Sequence, residues 1–259
     1  MSASDPVAPR PASAVVLLRD GMDGGAEVFM VRRHVRSEFV PDAFVFPGGT
    51  VKPGDIEAER APDLCGSVHQ GGRTALGFGF RAAAIRECFE EAGVLIARRG
   101  AAPVAIGAAD VARFASYRAG LNEGTLTLSG LCEGEGLTLA TDALLHWAHW
   151  ITPEAFPRRY DTHFFLTEMP DEQEAAHDQL ETTEGIWIRP DEALARFERG
   201  DLPLVFATIN QLRELTNLES AVSARERFSG VTPRTIMPRV VQRDGQDVIL
   251  LPEEDEEGA

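Results

Sequence analysis

Apolar runs separated by glycine, proline and charged residues divide the chain into short strands and helices. The runs at residues 14–19 and 28–32 flank a glycine- and aspartate-rich turn at residues 21–25, which predicts a β-hairpin. A further run at residues 43–46 stops at Pro47-Gly48-Gly49, a sequence typical of a chain reversal. Alternating or apolar runs predict later strands at residues 146–151, 160–167 and 185–188.

Apolar positions spaced three and four residues apart predict the helices. They lie at residues 80–97, 108–119, 190–197, 204–215 and 220–228. A final hairpin is predicted with arms at residues 235–242 and 247–251 and a turn between them. Strands and helices are mixed without regular alternation, so we expect an α+β fold, a three-layer αβα arrangement, rather than a doubly wound sheet.

One domain is expected to occupy residues 13–251, with a C-terminal helical extension and hairpin. Residues 1–12, rich in proline, serine and alanine, predict a disordered lead-in, and residues 252–259 form an acidic tail. Glycine-rich residues 56–79 are interpreted as a surface insertion, and residues 100–141 as a second, helical insertion. Either insertion is expected to shape the mouth of a pocket or a homodimer contact.

Charge and composition exclude several partner classes. Among 259 residues there are 25 basic and 41 acidic side chains, a formal charge of −16, which argues against binding to nucleic acid or an anionic membrane. No apolar run is long enough to predict a transmembrane helix. The N-terminal apolar run is too short for a signal peptide, and an odd count of three cysteines favours a reducing compartment. The expected location is cytoplasmic.

Three glutamates on the strongest predicted helix are the candidate chemistry. Glu87, Glu90 and Glu91 lie at helical spacings that place them on one face, opposite a set of apolar residues. Such carboxylates repel one another unless a cation lies between them. Mg²⁺ prefers oxygen ligands and bridges substrate phosphates, so the cluster fits such an ion. The alternative is an ordinary solvated acidic face.

The residues around these glutamates resemble the signature of the Nudix hydrolases. Its second half matches at Arg86, Glu87, Cys88, Glu90, Glu91, Gly93 and Val94. Its first half corresponds to Gly49 and, five residues on, Asp55 in place of glutamate. Thirty residues then separate Asp55 from Arg86 where the signature has seven. This interrupted box resembles the branch related to peroxisomal coenzyme A diphosphatases, although the chain ends in Glu-Gly-Ala rather than a peroxisomal signal.

The resemblance implies a Nudix fold, a bound Mg²⁺ or Mn²⁺ ion, and roles for these residues. Glu87 and Glu91 would be the principal metal ligands, and Glu90 a further ligand or a group that orients water. Arg86 would hold the carboxylates in register, with Asp55 orienting Arg86. The backbone carbonyl of Gly49 would be an additional metal ligand.

Other site residues are candidates with open alternatives. Glu181 and Glu184, expected on a loop, are candidate general bases, or else solvated loop charges. Four arginines are candidates for binding substrate phosphate, or else exposed charges: Arg32, Arg36, Arg158 and Arg159. Arg32 and Arg36 belong to a basic cluster with Arg33 and His34.

A His-x-x-His pair, His146 and His149, invites a zinc interpretation. On a regular strand the two side chains point to opposite faces, and no further ligand follows at a useful spacing. We therefore expect no zinc site there.

The implied activity is metal-dependent hydrolysis of a diphosphate bond in coenzyme A, acyl-coenzyme A or a related nucleoside diphosphate derivative. The same chemistry on ADP-ribose, NADH or a nucleotide sugar is the alternative within the enzyme class. A non-catalytic, ligand-binding Nudix domain is the alternative from a different class.

Overall fold

The computed structural model describes residues 6–37, 40–65, 78–178 and 180–253. Its strands, in chain order, are β1 (Arg10–Asp20), β2 (Ala26–Arg33), β3 (Phe44–Val45), β4 (Gly48–Thr50), β5 (Ala97–Arg99), β6 (Ala102–Pro103), β7 (Thr138–Leu139), β8 (Leu145–Ile151), β9 (Tyr160–Glu168), β10 (Thr182–Ile188), β11 (Thr235–Ile236), β12 (Arg239–Arg243) and β13 (Gln246–Leu250). Its helices are α1 (Pro53–Arg60), α2 (Pro62–Cys65), α3 (Phe80–Ala92), α4 (Val111–Asn122), α5 (Leu128–Glu135), α6 (Pro190–Glu198), α7 (Phe206–Glu214) and α8 (Ala221–Phe228).

One mixed sheet forms the middle layer, in the order β10-β2-β1-β9-β8-β11, with β3 paired to β2 and β4 paired to β1. Its central strand β1 runs parallel to β9 and antiparallel to β2. β1 is buried on both faces because its side chains alternate. Val15 and Leu17 join one apolar core, and Val16 and Leu18 join the other.

Helices cover both faces of this sheet. The core on one face includes apolar residues of α1 to α5, and the core on the other includes residues of α6, α7 and α8. This confirms the predicted three-layer αβα arrangement. The helical extension and the β12–β13 hairpin follow β10, as expected. Among the described residues, no helix is both long enough and apolar enough to cross a membrane.

The helix α3 ends five residues earlier than predicted. Gly93 follows its last residue in the left-handed conformation, with φ of 72°, and its N–H still bonds to the Phe89 carbonyl. Glycine adopts this conformation without the steric cost that other residues pay, so it terminates the helix. The apolar run continues to Ala97 because residues after Gly93 enter the core as extended chain, which periodicity alone does not distinguish from helix.

The first part of the 56–79 insertion is packed rather than a surface excursion. It contains most of α1 and all of α2, and Ala58 and Leu64 are buried in the core beside α3. Proline at the first position of each helix favours this start. Residues 66–77 of the insertion lie outside the described residues. The 100–141 insertion is helical in α4 and α5, as predicted.

Both chain ends differ from the expected boundaries. β1 begins at Arg10, inside the predicted 1–12 lead-in, because the N–H of Arg10 bonds to the Arg159 carbonyl and the strand pairs with β9. The first arm of the final hairpin is divided at Met237-Pro238 into β11, which pairs with β8, and β12. Proline has no N–H to donate, so it breaks the ladder there. Residues 1–5 and 254–259 lie outside the described residues.

Substituting Gly48 by alanine should destabilise the fold by about 1–3 kcal/mol, a typical cost of overpacking. A Cβ at Gly48 would lie 2.5 Å from the Ser13 carbonyl oxygen and 2.7 Å from the Ala14 Cα, both backbone atoms of β1. The free energy of unfolding in urea measures this. Gly54→Ala is the matched control, because nothing lies within 4 Å of its Cβ position in α1. The control should be neutral or gain about 0.5–1 kcal/mol. Equal effects at the two positions would contradict this packing.

Candidate active site

The two glycines of β4 allow the strand to lie directly against α3 and β1. Gly49 faces Glu87 so closely that a Cβ would lie 2.4 Å from Glu87 Oε1. Gly48 donates its N–H to Glu91 Oε2 at 2.9 Å. A larger residue at Gly49 would separate the strand from α3, and one at Gly48 would separate it from β1. Gly49 is therefore required by the close approach to Glu87, and Gly48 by the close approach to β1.

The guanidinium of Arg86 lies at the centre of the site. Its Nε and one terminal nitrogen each donate to Asp55 at 2.9 Å, a two-point contact. The other terminal nitrogen donates to Glu87 at 2.7 Å and to Glu90 at 2.6 Å. A further bond reaches the Thr50 carbonyl at 2.8 Å. Arg86 thus joins the start of α1, the middle of α3 and the end of β4.

The acidic face of α3 is buried, contrary to the solvated alternative. Glu87, Glu90 and Glu91 are 8, 5 and 4 % exposed, and every residue of α3 except Arg81 is buried. Burying a carboxylate costs several kcal/mol unless it is paired. One buried guanidinium among these glutamates and Asp55 leaves an excess of negative charge.

This excess shifts the protonation of the glutamates. Burial raises the pKa of Glu87 to about 7, with Arg86 lowering it and the neighbouring Glu90 charge raising it. Burial, together with the charge on Glu87, also raises the pKa of Glu91 well above its ordinary value. Burial alone would lower the pKa of Arg86, but the bond to Asp55 and the surrounding carboxylates raise it, so Arg86 stays charged.

A cavity of about 600 Å³ opens beside this cluster. Its charged end is formed by Glu87, Glu90, Arg33, Lys52 and Glu181. Its other walls are largely apolar and come from β1, β3, β8, β9, α7, the final hairpin and the loops beside them. They include Trp150, Phe156, Phe164, Val205, Phe206, Pro238 and Ile249. The cavity therefore combines an ionic end with a long apolar wall.

The two candidate bases lie in different surroundings. Glu181 lines the cavity, and its charge acts on Glu91. Glu184 is on β10 rather than on a loop, 3.6 Å from the guanidinium of Arg32, and it is not among the cavity-lining residues. The geometry favours Glu181 over Glu184.

The four arginines proposed for substrate binding are not among the residues that line this cavity. Arg32 bonds to Asp42 at 2.9 Å, and Arg36 and Arg158 are exposed. Arg159 is 6 % exposed and donates hydrogen bonds to the carbonyls of Thr152 and Val7. Its guanidinium therefore holds two backbone segments together and does not make the expected phosphate contact.

The basic cluster of residues 32–36 was a candidate for holding an anionic substrate, and of its members Arg33 lines the cavity. Lys52, which was not a candidate, lines it too. Arg33 follows Arg32 on β2, and successive side chains on a strand point to opposite faces, so a one-residue difference decides which arginine reaches the site. Arg33 is held by two bonds to the Ser37 hydroxyl at 3.0 and 3.1 Å. Lys52 lies 3.5 Å from Glu90. Only the pairing register of β2 shows that the Arg33 side chain, rather than that of Arg32, points to the cavity.

A model of the NUDT19 Nudix domain matches residues 67–217, more than half of the chain. The match includes α3 with its glutamates and extends through α7. The chain belongs to the NUDT19 Nudix domain family. This confirms the family resemblance drawn from the interrupted box.

Several relatives support the assignment to the NUDT19 Nudix domain. The chain is 31% identical over 237 residues to the acyl-coenzyme A diphosphatase NUDT19 of Gallus gallus, covering 75% of this chain and 62% of that protein. It is 28% identical over 222 residues to the putative nudix hydrolase 7 of Caenorhabditis elegans, covering 86% of this chain and 66% of that protein. The chain thus spans less than two thirds of the length of these relatives.

A solved structure has the same fold. The Nudix hydrolase from Alicyclobacillus acidocaldarius superposes with a TM-score of 0.71 at 29% identity, covering 87% of this chain and 99% of that one. This confirms the predicted Nudix fold.

The donors of this site fit the divalent cation that Nudix hydrolases generally use. Glu87 and Glu90 face the cavity, and the Gly49 backbone lies against the Glu87 carboxylate. Carboxylate and carbonyl oxygens are the ligands preferred by hard divalent ions. A divalent cation would neutralise the buried excess of negative charge.

In the metal-free protein, the Glu87 contribution to stability should fall as pH rises. A carboxyl whose pKa is higher in the folded than in the unfolded state binds protons more tightly when folded. Its favourable contribution is present below about pH 4.5 and is lost as pH rises through about 7. Unfolding free energies of the wild-type protein and Glu87→Gln, measured from pH 5 to 8 with chelator, test this. The wild type should lose stability relative to the variant, which cannot titrate there. Parallel pH profiles would contradict the shifted Glu87.

Proposed function

We propose that the chain is a metal-dependent diphosphatase that hydrolyses coenzyme A or acyl-coenzyme A. The observation that carries the proposal is the burial of Glu87, Glu90 and Glu91 around Arg86 at the charged end of the cavity. The acyl-coenzyme A diphosphatase activity named for the Gallus gallus relative supports the substrate class. The apolar wall fits the other part of such a substrate, a long pantetheine or acyl arm.

Each residue has a separate task in the proposed reaction. Glu87, Glu90, Glu91 and the Gly49 carbonyl would hold Mg²⁺ or Mn²⁺, which supplies the positive charge that neutralises phosphate oxygens. Arg86 keeps the glutamates in register through its bonds to Glu87 and Glu90. Preorganised charge of this kind lowers the barrier because it needs no rearrangement during the reaction.

Cavity-lining cations and Glu181 complete the proposed site. Arg33 and Lys52 would bind the non-bridging oxygens of the diphosphate. Glu181 would accept the proton of the attacking water. The water oxygen bonds to phosphorus, a bridging P–O bond breaks, and the products from coenzyme A are 3′,5′-ADP and phosphopantetheine.

We propose a single Nudix domain that begins at Arg10, where β1 starts, rather than at the expected residue 13, and that ends at residue 251, with cytoplasmic location. The buried, unpaired thiols of Cys65, Cys88 and Cys132 are compatible with a reducing compartment. A homodimer and the absence of nucleic-acid binding remain proposals of the same kind.

Glu87→Gln or Glu90→Gln should lower kcat on coenzyme A at least about 10²-fold, because either change removes a charge that would bind the ion. Product formation with Mg²⁺ or Mn²⁺, followed by chromatography of 3′,5′-ADP and phosphopantetheine, measures this. Glu133→Gln, an exposed change on α5, is the control and should keep wild-type turnover. Full turnover by the Glu87 variant would contradict the mechanism.

A panel with ADP-ribose, NADH and nucleotide sugars decides the substrate class. Metal binding without turnover of any compound would favour a ligand-binding domain.

Glu181→Gln should lower kcat about 10²-fold with little change in KM, since a general base acts in the transition state. The logarithm of kcat against pH should also lose its acid limb. Glu184→Gln, three residues along the same segment, should leave both unchanged, because Glu184 pairs with Arg32 outside the cavity. Equal losses in the two variants, or no loss at Glu181, would contradict this assignment.

A further inference from the structure

A second cluster of metal-ligand side chains lies on the sheet face covered by α3, outside the glutamate cavity. His149 is on β8, and Asp161 and His163 are on β9. One ligand atom from each lies within 4.8 Å of the others. Among the described residues this is the group of three or more histidine, cysteine or acidic side chains that meets that distance criterion.

A bulge in β8 brings these residues together. His146 pairs with Phe165, but Ala148 pairs with Phe164, so Trp147 is an extra residue in the ladder. The extra residue changes the alternation, and His146 and His149 point to the same face. The expectation that they point to opposite faces was wrong for this reason. In register with His149 lies His163.

The distances permit coordination after small side-chain movements. His149 Nε2 lies 2.5 Å from Asp161 Oδ1, and His163 Nε2 lies 3.9 Å from the same oxygen. Tetrahedral zinc with bonds of about 2.0–2.1 Å needs neighbouring donor atoms about 3.3 Å apart. Binding would lengthen the first distance and shorten the second. The Asp161 side chain is 32% exposed, so an ion and a solvent ligand can reach the cluster.

Each histidine also has the partner that a metal-bound imidazole requires. A histidine that ligates through one ring nitrogen usually donates the N–H of the other to an acceptor. His149 Nδ1 lies 2.8 Å from the Thr235 hydroxyl of β11. His163 Nδ1 lies 2.9 Å from His146 Nε2. Both nitrogens that face Asp161 are thereby left for an ion.

A buried polar atom of His146 supports the same protonation pattern. If His146 Nε2 accepts the His163 proton, the His146 proton lies on Nδ1, which is buried and has no hydrogen-bond partner. An unsatisfied buried N–H is costly, and in this arrangement it accompanies the tautomer that leaves His163 Nε2 free to accept an ion.

We propose that His149, Asp161 and His163 bind one Zn²⁺ ion, or another borderline transition-metal ion, with solvent as fourth ligand. Two imidazoles and one carboxylate suit such an ion rather than Mg²⁺, which prefers an all-oxygen site. The ion would take the place of the direct contact between His149 Nε2 and Asp161 Oδ1, and a proton held in that contact would pass to solvent. Through Thr235 it would fasten β11, and with it the start of the final hairpin, to the sheet.

Zinc binding to the chelator-treated full chain tests this without relying on turnover. Isothermal titration with Zn²⁺ and elemental analysis after gel filtration should show one zinc per chain that survives in Glu87→Gln. Asp161→Asn should weaken that binding at least about 100-fold, and Zn²⁺ should raise the Tm of the wild type but not of this variant. Asp142→Asn, an exposed aspartate paired with Arg98, is the matched control and should keep the zinc.

A milder variant guards against misfolding. Thr235→Val keeps the shape of the side chain and removes only the acceptor for His149, so it should weaken Zn²⁺ about 10-fold. Unchanged zinc stoichiometry and affinity in both Asp161→Asn and Thr235→Val would overturn the proposal. So would the loss of all zinc in Glu87→Gln, since the ion would then belong to the glutamates.

Discussion

The pairing of one buried guanidinium with a ring of carboxylates is the interaction on which the site depends. Arg86 contacts α1, α3 and β4 at once, and its removal would leave Asp55 and the glutamates uncompensated in a region from which water is largely excluded. Breaking such a pair costs about 3–5 kcal/mol. Because the carboxylates are buried and outnumber this guanidinium, a bound cation would stabilise them further. The same arrangement therefore contributes to both stability and metal affinity.

Local features of this arrangement could be predicted from the sequence, because they depend on neighbours in the chain. The strong helix and the three glutamates on one of its faces follow from spacing and residue type. The end of α3 could not be predicted in this way, because Gly93 stops the helix within an apolar run that continues into the core after the helix ends. The packing of α1 and α2 could not be predicted either. A glycine-rich segment predicts a surface loop, even where its first residues pack into the core.

The face of the sheet to which a strand side chain points was the second feature that could not be predicted from the sequence. A strand's residues alternate, so an error of one residue in register exchanges the two faces. Arg33 reaches the cavity while Arg32 pairs with Asp42 and Glu184. His149 joins His163 because of the single extra residue at Trp147. Neither a register nor a bulge is encoded in residue type alone, since both depend on partner strands distant in sequence.

Chemistry and specificity are assigned to different parts of the fold. The carboxylates of the cluster come from α3, which packs against β4, and their geometry leaves little freedom because Gly49 lies against Glu87. The apolar wall comes from β1, β3, β8, β9, α7, the final hairpin and the loops beside them, none of which carries a glutamate of the cluster. A metal ion held by His149, Asp161 and His163 would bind to β8 and β9, two of the strands that form this apolar wall. Because Thr235 of β11 bonds to His149, the ion would also tie the segment that leads into the final hairpin to the sheet.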